Sequence, residues 1–136
     1  MKKAKKVSRK TKGIASKKVE KKLNKGVVNI HSSFNNTIIN LTDESGNVLF
    51  WSSAGSSGFK GTKKATPFAA AQTAKTIIDK ARPLGLSEIE IKVKGVGAGR
   101  ESAIRSFAGS GLTVTKISDV TSIPHGGVRP KKVRRV

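Results

Sequence analysis

The sequence is short of several residue types, and each shortage excludes a class of protein. It has no cysteine, which excludes disulfides and thiolate chemistry. Its two histidines, His31 and His125, are too few for a metal site of their own. No apolar run approaches the ~20 residues of a membrane-spanning helix, and the amino terminus lacks the apolar stretch of a secretory signal. These absences predict a soluble intracellular protein with no membrane partner.

Acidic residues are also scarce, and the imbalance is concentrated at the two ends of the chain. The 136 residues include 28 lysines and arginines against 8 acids, for a net charge of +20. Residues 1–26 hold twelve basic residues and one acid, residues 121–136 hold five and none, and residues 27–120 are nearly balanced. Segments this cationic repel themselves and bury too little apolar surface to fold alone. The pattern predicts a core domain at 27–120, a basic extended arm at 1–26 and a basic extended tail at 121–136.

The two cationic ends point to a polyanionic partner. A single charge run is commonly a solubilising tail, but two runs almost free of acids favour binding instead. Nucleic acid is the favoured polyanion, because neutralising its phosphates releases counterions. A membrane surface is the weaker alternative, since neither end carries the apolar face that an interfacial helix buries.

The apolar periodicity predicts five strands and two helices in the order β-β-β-α-β-α-β. Alternation indicates strands at 27–33, 38–42, 48–52, 88–94 and 112–120, and a phase slip between Val114 and Ile117 indicates a bulge in the last one. Thr66 and Pro67 have the character of an N-cap and a first helical residue, and Pro83 ends that helix. Its apolar face is predicted to run through Phe68, Ala71, Ala74, Ile78 and Ala81.

The second helix is predicted from Arg100 to about Ala108, with Ile104 and Phe107 as core contacts. Three hairpin-linked strands followed by two crossover units imply an α/β fold. We therefore expect a mixed five-stranded sheet, an antiparallel meander extended by two crossover strands, with two helices packed on it.

A glycine-rich turn joins the fourth strand to the second helix. In Gly95-Val96-Gly97-Ala98-Gly99-Arg100, the glycines allow backbone N–H groups to approach a phosphate, and a helix N-terminus favours an anion. The spacing fits neither a dinucleotide fingerprint nor a P-loop. A tight turn without a ligand is an even alternative, although Arg100 places a cation beside the amides and favours phosphate.

A second candidate is the Gly- and Ser-rich loop that precedes the first helix. Lys60, Lys63 and Lys64 surround Phe59 there. The Phe59 ring could stack on a base or anchor its own loop, and the anchor is slightly favoured. The lysines are the stronger candidates for binding.

Catalytic chemistry has little support in the sequence. Glu88 and Glu90 share a strand face, but Lys92 and Lys94 follow on that face, which favours a solvated charged surface over acid–base or two-metal chemistry. No Gly-x-Ser-x-Gly elbow occurs. His31 lies in a strand, where a packed residue is commoner than a base. We expect no enzyme and no cofactor.

Six segments together resemble a known family. They are His31-Ser-Ser-Phe-Asn-Asn-Thr37, Gly58-Phe-Lys-Gly61, Thr66-Pro-Phe-Ala-Ala70, Lys94-Gly-Val-Gly-Ala-Gly-Arg-Glu-Ser102, Asp119-Val-Thr-Ser-Ile-Pro-His125 and Arg129-Pro-Lys-Lys-Val-Arg-Arg-Val136. In this order they resemble small-subunit ribosomal protein eleven in its bacterial and organellar form. The resemblance covers residues 26–136, and the arm matches only in being basic.

The resemblance implies a structural, rRNA-binding protein of the small-subunit platform, near the E site and the mRNA exit, that stabilises the rRNA fold and assembly. It implies small-subunit proteins seven, eighteen and six as neighbours and mRNA nearby, in a ribosome that could be cytoplasmic or organellar. The predicted RNA-binding residues are Lys60, Lys63, Lys64, Gly95, Gly97, Gly99, Arg100, Arg105, His125, Arg129, Lys131, Lys132, Arg134 and Arg135.

The sequence also departs from the family pattern. Val96 and Ala98 stand where the family usually has prolines, so this turn is expected to be less stiff. Gly126 and Val128 replace an Asn and a Cys of the tail, so that Cys is not needed for binding. The alternative function is a free, histone-like architectural protein, which would need a dimerising element. A nuclease lacks metal ligands.

Overall fold

The computed structural model describes residues 22–136, and most of the predicted arm therefore lies outside the described residues. The described elements follow the expected order. They are the strands β1 (Lys25–Ser32), β2 (Thr37–Thr42), β3 (Val48–Ser53), β4 (Glu88–Lys94) and β5 (Thr113–Asp119), the helices α1 (Pro67–Ala81) and α2 (Gly99–Ala108), and the 3-10 turns Gly61–Ala65 and Arg82–Leu84. No helix within residues 22–136 is long and apolar enough to cross a membrane.

The five strands form one mixed sheet, as the sequence predicts. Its order is β3-β2-β1-β4-β5. β2 pairs antiparallel with β1 and with β3, whereas β4 pairs parallel with β1 and with β5. The two helices pack against each other, so they share one face of the sheet. The predicted α/β class is confirmed, and the sheet keeps a second face that neither helix covers.

The core lies between the sheet and the helices, and strand alternation decides which residues enter it. Val28 and Ile30 of β1 and Ile89, Ile91 and Val93 of β4 are all at most 1% exposed. The intervening residues of both strands point away from the helices, because successive side chains alternate between the two faces of a strand. The predicted inward set of β4 is confirmed.

Helix α1 begins as predicted, but its buried face differs from the prediction. The Thr66 hydroxyl accepts a hydrogen bond from the Ala69 N–H at 3.3 Å, and Pro67 is the first helical residue. Phe68, predicted on the buried face, is 70% exposed, and Ala71 is only half-buried. The buried residues are instead Ala69, Ala70, Thr73, Ala74, Ile77, Ile78 and Ala81. Ala69, Ala70 and Ala71 are equally apolar, so the sequence does not show which of them faces the core. The predicted buried face is therefore rotated from the observed one.

Strand β5 contains the bulge that its phase slip predicts. Val114 pairs with Ile89 and Lys116 pairs with Glu90, which leaves Thr115 as the extra residue. The Thr115 hydroxyl donates to the Ile89 carbonyl at 3.2 Å. A second irregularity, between Leu41 and Thr42 on the β2–β3 ladder, was not anticipated.

Candidate nucleic-acid interface

Four of the five strands point the same way, and this brings most of the candidate residues to one end of the sheet. β1, β3, β4 and β5 are mutually parallel, so their carboxyl ends meet at the same edge. Both helices also begin at this edge. We call it the carboxyl end. It comprises the turn at 33–36, the loop at 54–66, the glycine turn at 95–98 and the start of the tail after β5. In open α/β sheets, ligands bind at this edge.

Hydrogen bonds hold these segments together. The Ala54 N–H donates to the Thr37 carbonyl at 3.0 Å, which fastens the loop to the start of β2. The Ser102 hydroxyl of α2 donates to the Pro67 carbonyl of α1 at 2.8 Å, so the first turns of the two helices are joined. The candidate segments thus form one surface rather than separate loops.

The loop at 54–66 is anchored by its aromatic residue. The Phe59 N–H donates to the Ala54 carbonyl at 3.2 Å, and the Phe59 ring meets the Phe68 ring edge-to-face at a centroid distance of 5.9 Å. Phe59 is half-buried, which supports the anchor role over base stacking. Phe68 is exposed because it serves this ring contact rather than the core.

The three lysines of this loop keep their charges available. Residues Gly61–Ala65 form a 3-10 turn rather than the irregular loop expected, and the turn ends where the Thr66 hydroxyl donates to the Lys63 carbonyl at 2.7 Å. Lys60 and Lys63 are exposed and Lys64 is half-buried. Within residues 22–136, no carboxylate pairs with any of the three.

The three predicted glycines of the 95–99 turn are required by packing. A Cβ on Gly95 would lie 2.1 Å from the Ser32 carbonyl oxygen, and one on Gly97 would lie 2.2 Å from that of Ser33. A Cβ on Gly99 would lie 2.7 Å from the Ala70 Cβ. Real Cβ atoms do not approach this closely, so only glycine at these positions lets the turn lie against the end of β1 and against the first turn of α1.

Part of the turn's donor capacity is used within the protein. The Gly97 N–H donates to the Ser32 carbonyl at 3.0 Å, and the Arg100 N–H donates to the Gly97 carbonyl at 3.3 Å. The N–H groups of Ala98 and Gly99 have no acceptor among the described residues. Both amides lie at the start of α2, where Ala98 is exposed and Gly99 is buried.

The Arg100 side chain is also engaged internally. Its guanidinium donates to the Gly95 carbonyl at 2.9 Å and to the Asp119 carboxylate at 2.6 Å, and it is 32% exposed. Asp119 further accepts the Thr121 N–H at 2.9 Å and the Thr121 hydroxyl at 2.6 Å. The Thr121 hydroxyl in turn accepts the Gly95 N–H at 3.1 Å. We call this group the clasp: it comprises Gly95, Arg100, Asp119 and Thr121, and it joins the glycine turn to the start of the tail.

The clasp stabilises the ionised form of its carboxyl group. The hydrogen bonds from Thr121 and then the one from Arg100 hold the pKa of Asp119 well below its ordinary value. Asp119 and Thr121 stand in the family-like segment 119–125, but their pairing with Arg100 was not anticipated. Residues nineteen positions apart meet because β5 lies beside β4 in the sheet.

Arg105 does not join the cluster at the carboxyl end. It lies six residues into α2, ~9 Å along the helix from its first residue. Its guanidinium is exposed and pairs with Glu101 of the same helix. The structure thus separates Arg105 from the other predicted residues.

The tail contributes the largest group of cations. Residues 120–136 form neither helix nor strand, and nearly all of them are exposed. His125, Arg129, Lys131, Lys132, Arg134 and Arg135 all lie in this segment, and the structure pairs none of them with a carboxylate of residues 22–136. Glu101 and Asp119, the acids of the adjoining elements, are each paired with an arginine. The carboxyl end is therefore electropositive, as a phosphate-binding surface must be.

A comparison with protein families agrees with this arrangement. The model of the family described as ribosomal protein S11 matches residues 26–135. The matched region begins within β1 and takes in every strand, both helices and nearly all of the tail. It also includes all of the predicted RNA-binding residues.

Proposed function

The chain belongs to the ribosomal protein S11 family, and on this premise we propose that it holds small-subunit rRNA mainly through the carboxyl end of its sheet and the tail that follows. The family is one of structural proteins of the small ribosomal subunit that bind rRNA, rather than of enzymes. The same membership favours the ribosome over the free, histone-like alternative. The observation that carries the proposal is the set of unpaired lysines and arginines gathered at one edge of the fold.

Each segment is assigned a role from the charged groups and N–H donors that it leaves unpaired. Lys60 and Lys63 present exposed ammonium groups, and the tail adds five basic side chains that no described carboxylate neutralises. The exposed N–H of Ala98, at the start of α2, can donate to one phosphate. Arg100 acts mainly by fixing the glycine turn, since its guanidinium already contacts Asp119 and Gly95. The tail at 121–136 and the part of the predicted arm that precedes β1 are proposed as extensions that bind rRNA beside the core; Lys25 and Gly26 of that arm belong to β1.

The position in the subunit is the finer part of the proposal. We place the protein at the platform, near the E site and the mRNA exit, with small-subunit proteins seven, eighteen and six as neighbours and mRNA nearby. There it would stabilise the rRNA fold and promote assembly. These assignments rest on the family resemblance of the six segments.

The proposal is tested by a pair of matched variants. Lys60→Gln/Lys63→Gln removes two exposed charges at the carboxyl end, and Lys75→Gln/Lys80→Gln removes two exposed charges farther along α1. Affinity for full-length small-subunit rRNA is measured against salt concentration. Each lost phosphate contact lowers the log–log slope by ~0.7 to 0.9, so the first variant should lose ~1.5 and the second almost nothing. Equal slopes for the two variants would contradict the proposal.

A further inference from the structure

The sheet face that the helices leave uncovered has a composition of its own. We call it the open face. It is formed by the strand residues that alternate with the buried ones: Lys25, Val27, Asn29, His31, Ile38, Asn40, Thr42, Val48, Trp51, Ser53, Glu88, Glu90, Lys92, Lys94, Thr113, Lys116 and Ser118. No element within residues 22–136 packs over it. The residues singled out from the sequence do not explain this face, since none of the predicted binding residues lies on it.

One row of side chains crosses four strands of the open face. The register pairs Trp51 with Asn40, Asn40 with Asn29, and Asn29 with Lys92. Three strand spacings make this row ~14 Å long. It presents, in order, an aromatic ring, two carboxamides and an ammonium group. These are the groups that stack on a base, bond a base edge and neutralise a phosphate.

Trp51 is the most unusual member of the row. It is 60% exposed, although its neighbour Ser52 is buried on the helix side of the same strand. Tryptophan is enriched at binding surfaces, because its ring contributes a large contact area and its N–H can donate a hydrogen bond. The Asn40 side chain beside it forms no hydrogen bond with any described residue, so its amide remains available.

The charges of the open face are also distributed unevenly. Glu88 pairs with Lys25 at 3.2 Å and Glu90 with Lys116 at 3.8 Å, at the end where β1 and β4 begin. Toward the other end, no described carboxylate pairs with Lys92 or Lys94. His31 lies beside Lys94 in the register. The positive part of the open face therefore adjoins the carboxyl end.

From this row we propose that the open face binds a single-stranded RNA segment, with a base stacked on Trp51, a base edge on Asn40 and a backbone phosphate on Lys92. Sheets that expose aromatic residues bind RNA in this way. A protein partner would bury a continuous apolar patch, whereas the apolar residues Val27, Ile38 and Val48 of this face lie outside the row, in which two carboxamides and a lysine follow the ring. The inference rests on the proposed function, because it adds a second RNA contact to a protein that holds rRNA at its carboxyl end.

The chain contains a natural probe for the test. Trp51 is its only tryptophan, and there is no tyrosine, so its fluorescence reports the open face alone. The full chain is titrated with a single-stranded oligoadenylate of about ten nucleotides, a length suited to one stacking surface. We expect saturable quenching of Trp51. Binding confined to the tail or to the carboxyl end would leave the emission at saturation unchanged.

Substitutions locate the contact. Trp51→Ala should weaken oligoadenylate binding roughly tenfold, the low end of what one stacked base contributes, whereas Trp51→Phe should keep most of the affinity. Lys92→Gln should weaken the binding and leave the quenching amplitude at saturation unchanged, because the stack remains. Lys75→Gln, an exposed lysine of α1 outside the open face, is the matched control and should have little effect.

The outcomes separate this inference from the proposed function. Absence of quenching in a chain whose rRNA binding still depends on Lys60 and Lys63 would overturn the open-face site and leave the proposed function intact. Loss of that dependence, with Trp51 still quenched, would contradict the proposed function alone. Emission that changes only on adding another small-subunit ribosomal protein would overturn the RNA assignment and make the face a protein interface.

Discussion

Replacing Gly97 by alanine should destabilise the fold through a single steric contact. The added Cβ would lie 2.2 Å from the Ser33 carbonyl oxygen and 2.4 Å from the Ser32 hydroxyl. Gly97 does not have a positive φ, so alanine brings no backbone strain of its own. The Ser32 hydroxyl can rotate away, but the Ser33 carbonyl cannot move without disturbing the turn after β1. The whole glycine turn must therefore shift outward.

The size of the effect follows from what that shift disrupts. Overpacking against a rigid neighbour costs ~1 to 3 kcal/mol, and a backbone neighbour places Gly97→Ala at about 2 kcal/mol or more. The shift would also break the hydrogen bond from the Gly97 N–H to the Ser32 carbonyl, which is 3.0 Å long. For a domain of this size, 2 kcal/mol corresponds to a fall in melting temperature of roughly 10 °C.

Gly55→Ala is the matched control for this measurement. Gly55 also lacks a positive φ, and the nearest atom to its added Cβ, on the Lys64 side chain, is 3.6 Å away in ordinary contact. Thermal melting of both variants followed by circular dichroism makes the comparison. If Gly97→Ala melts within about 2 °C of the parent while Gly55→Ala does the same, the close packing of the turn on β1 is refuted.

Three further predictions address the clasp, the helix cap and the tail. Asp119→Asn should make the stability of the fold less sensitive to acid. The lowered pKa of Asp119 contributes stability that is present above the ordinary aspartate pKa of ~3.9 and is lost as the pH falls below it. Below that pH, the urea midpoint of the parent should therefore drop more steeply than that of the variant. Thr66→Ala should cost ~1 kcal/mol in urea unfolding and Thr66→Ser very little, because the hydroxyl caps α1; equal losses would contradict the cap. Truncation after Pro124 should leave the melting temperature unchanged, since residues 125–136 are exposed, and should lower the salt slope of rRNA binding; an unchanged slope would exclude phosphate contacts by the tail.

Much of the fold could be predicted because each strand carries its own signal. The alternation of Ile89, Ile91 and Val93 with charged residues fixes both the strand and its inward face. The phase slip after Val114 was enough to locate a bulge, because one extra residue changes which side chains point inward. The mixed character of the sheet followed from connection rules, whereas the strand order comes from the structure.

The buried face of α1 could not be predicted in the same way. The helical spacing of Phe68 with Ala71, Ala74 and Ile78 predicts that its ring faces the core. Its ring instead meets Phe59, which belongs to a loop whose path no local pattern specifies. Any of Ala69, Ala70 and Ala71 could face the core, so the large apolar ring of Phe68 decided the predicted face at the start of the helix. That ring is exposed, and the predicted face was wrong there.

The sequence predicted the residues of the candidate site, but it did not predict the hydrogen bonds and ion pairs that join them. The lysines of the loop and the tail could be found from charge alone. The contact between Arg100 and Asp119 could not, because it depends on the parallel pairing of β4 with β5 across an intervening helix. The local sequence identifies Arg100 as a cation, whereas only the fold shows that its guanidinium pairs with the Asp119 carboxylate of the same chain.

The glycine turn shows why packing and ligand binding need not be alternatives. Gly95 and Gly97 are required because the turn lies directly on the end of β1, and Gly99 because it packs on Thr37 and Ala70; both would hold without any ligand. That same close packing fixes the start of α2, where the amides of Ala98 and Gly99 have no acceptor among the described residues. The clasp then holds the turn from its other side through Arg100. A phosphate bound at these amides would meet donors already fixed in position, so little ordering would oppose its binding. The packing that accounts for the glycines is thus compatible with the phosphate contact proposed for this turn.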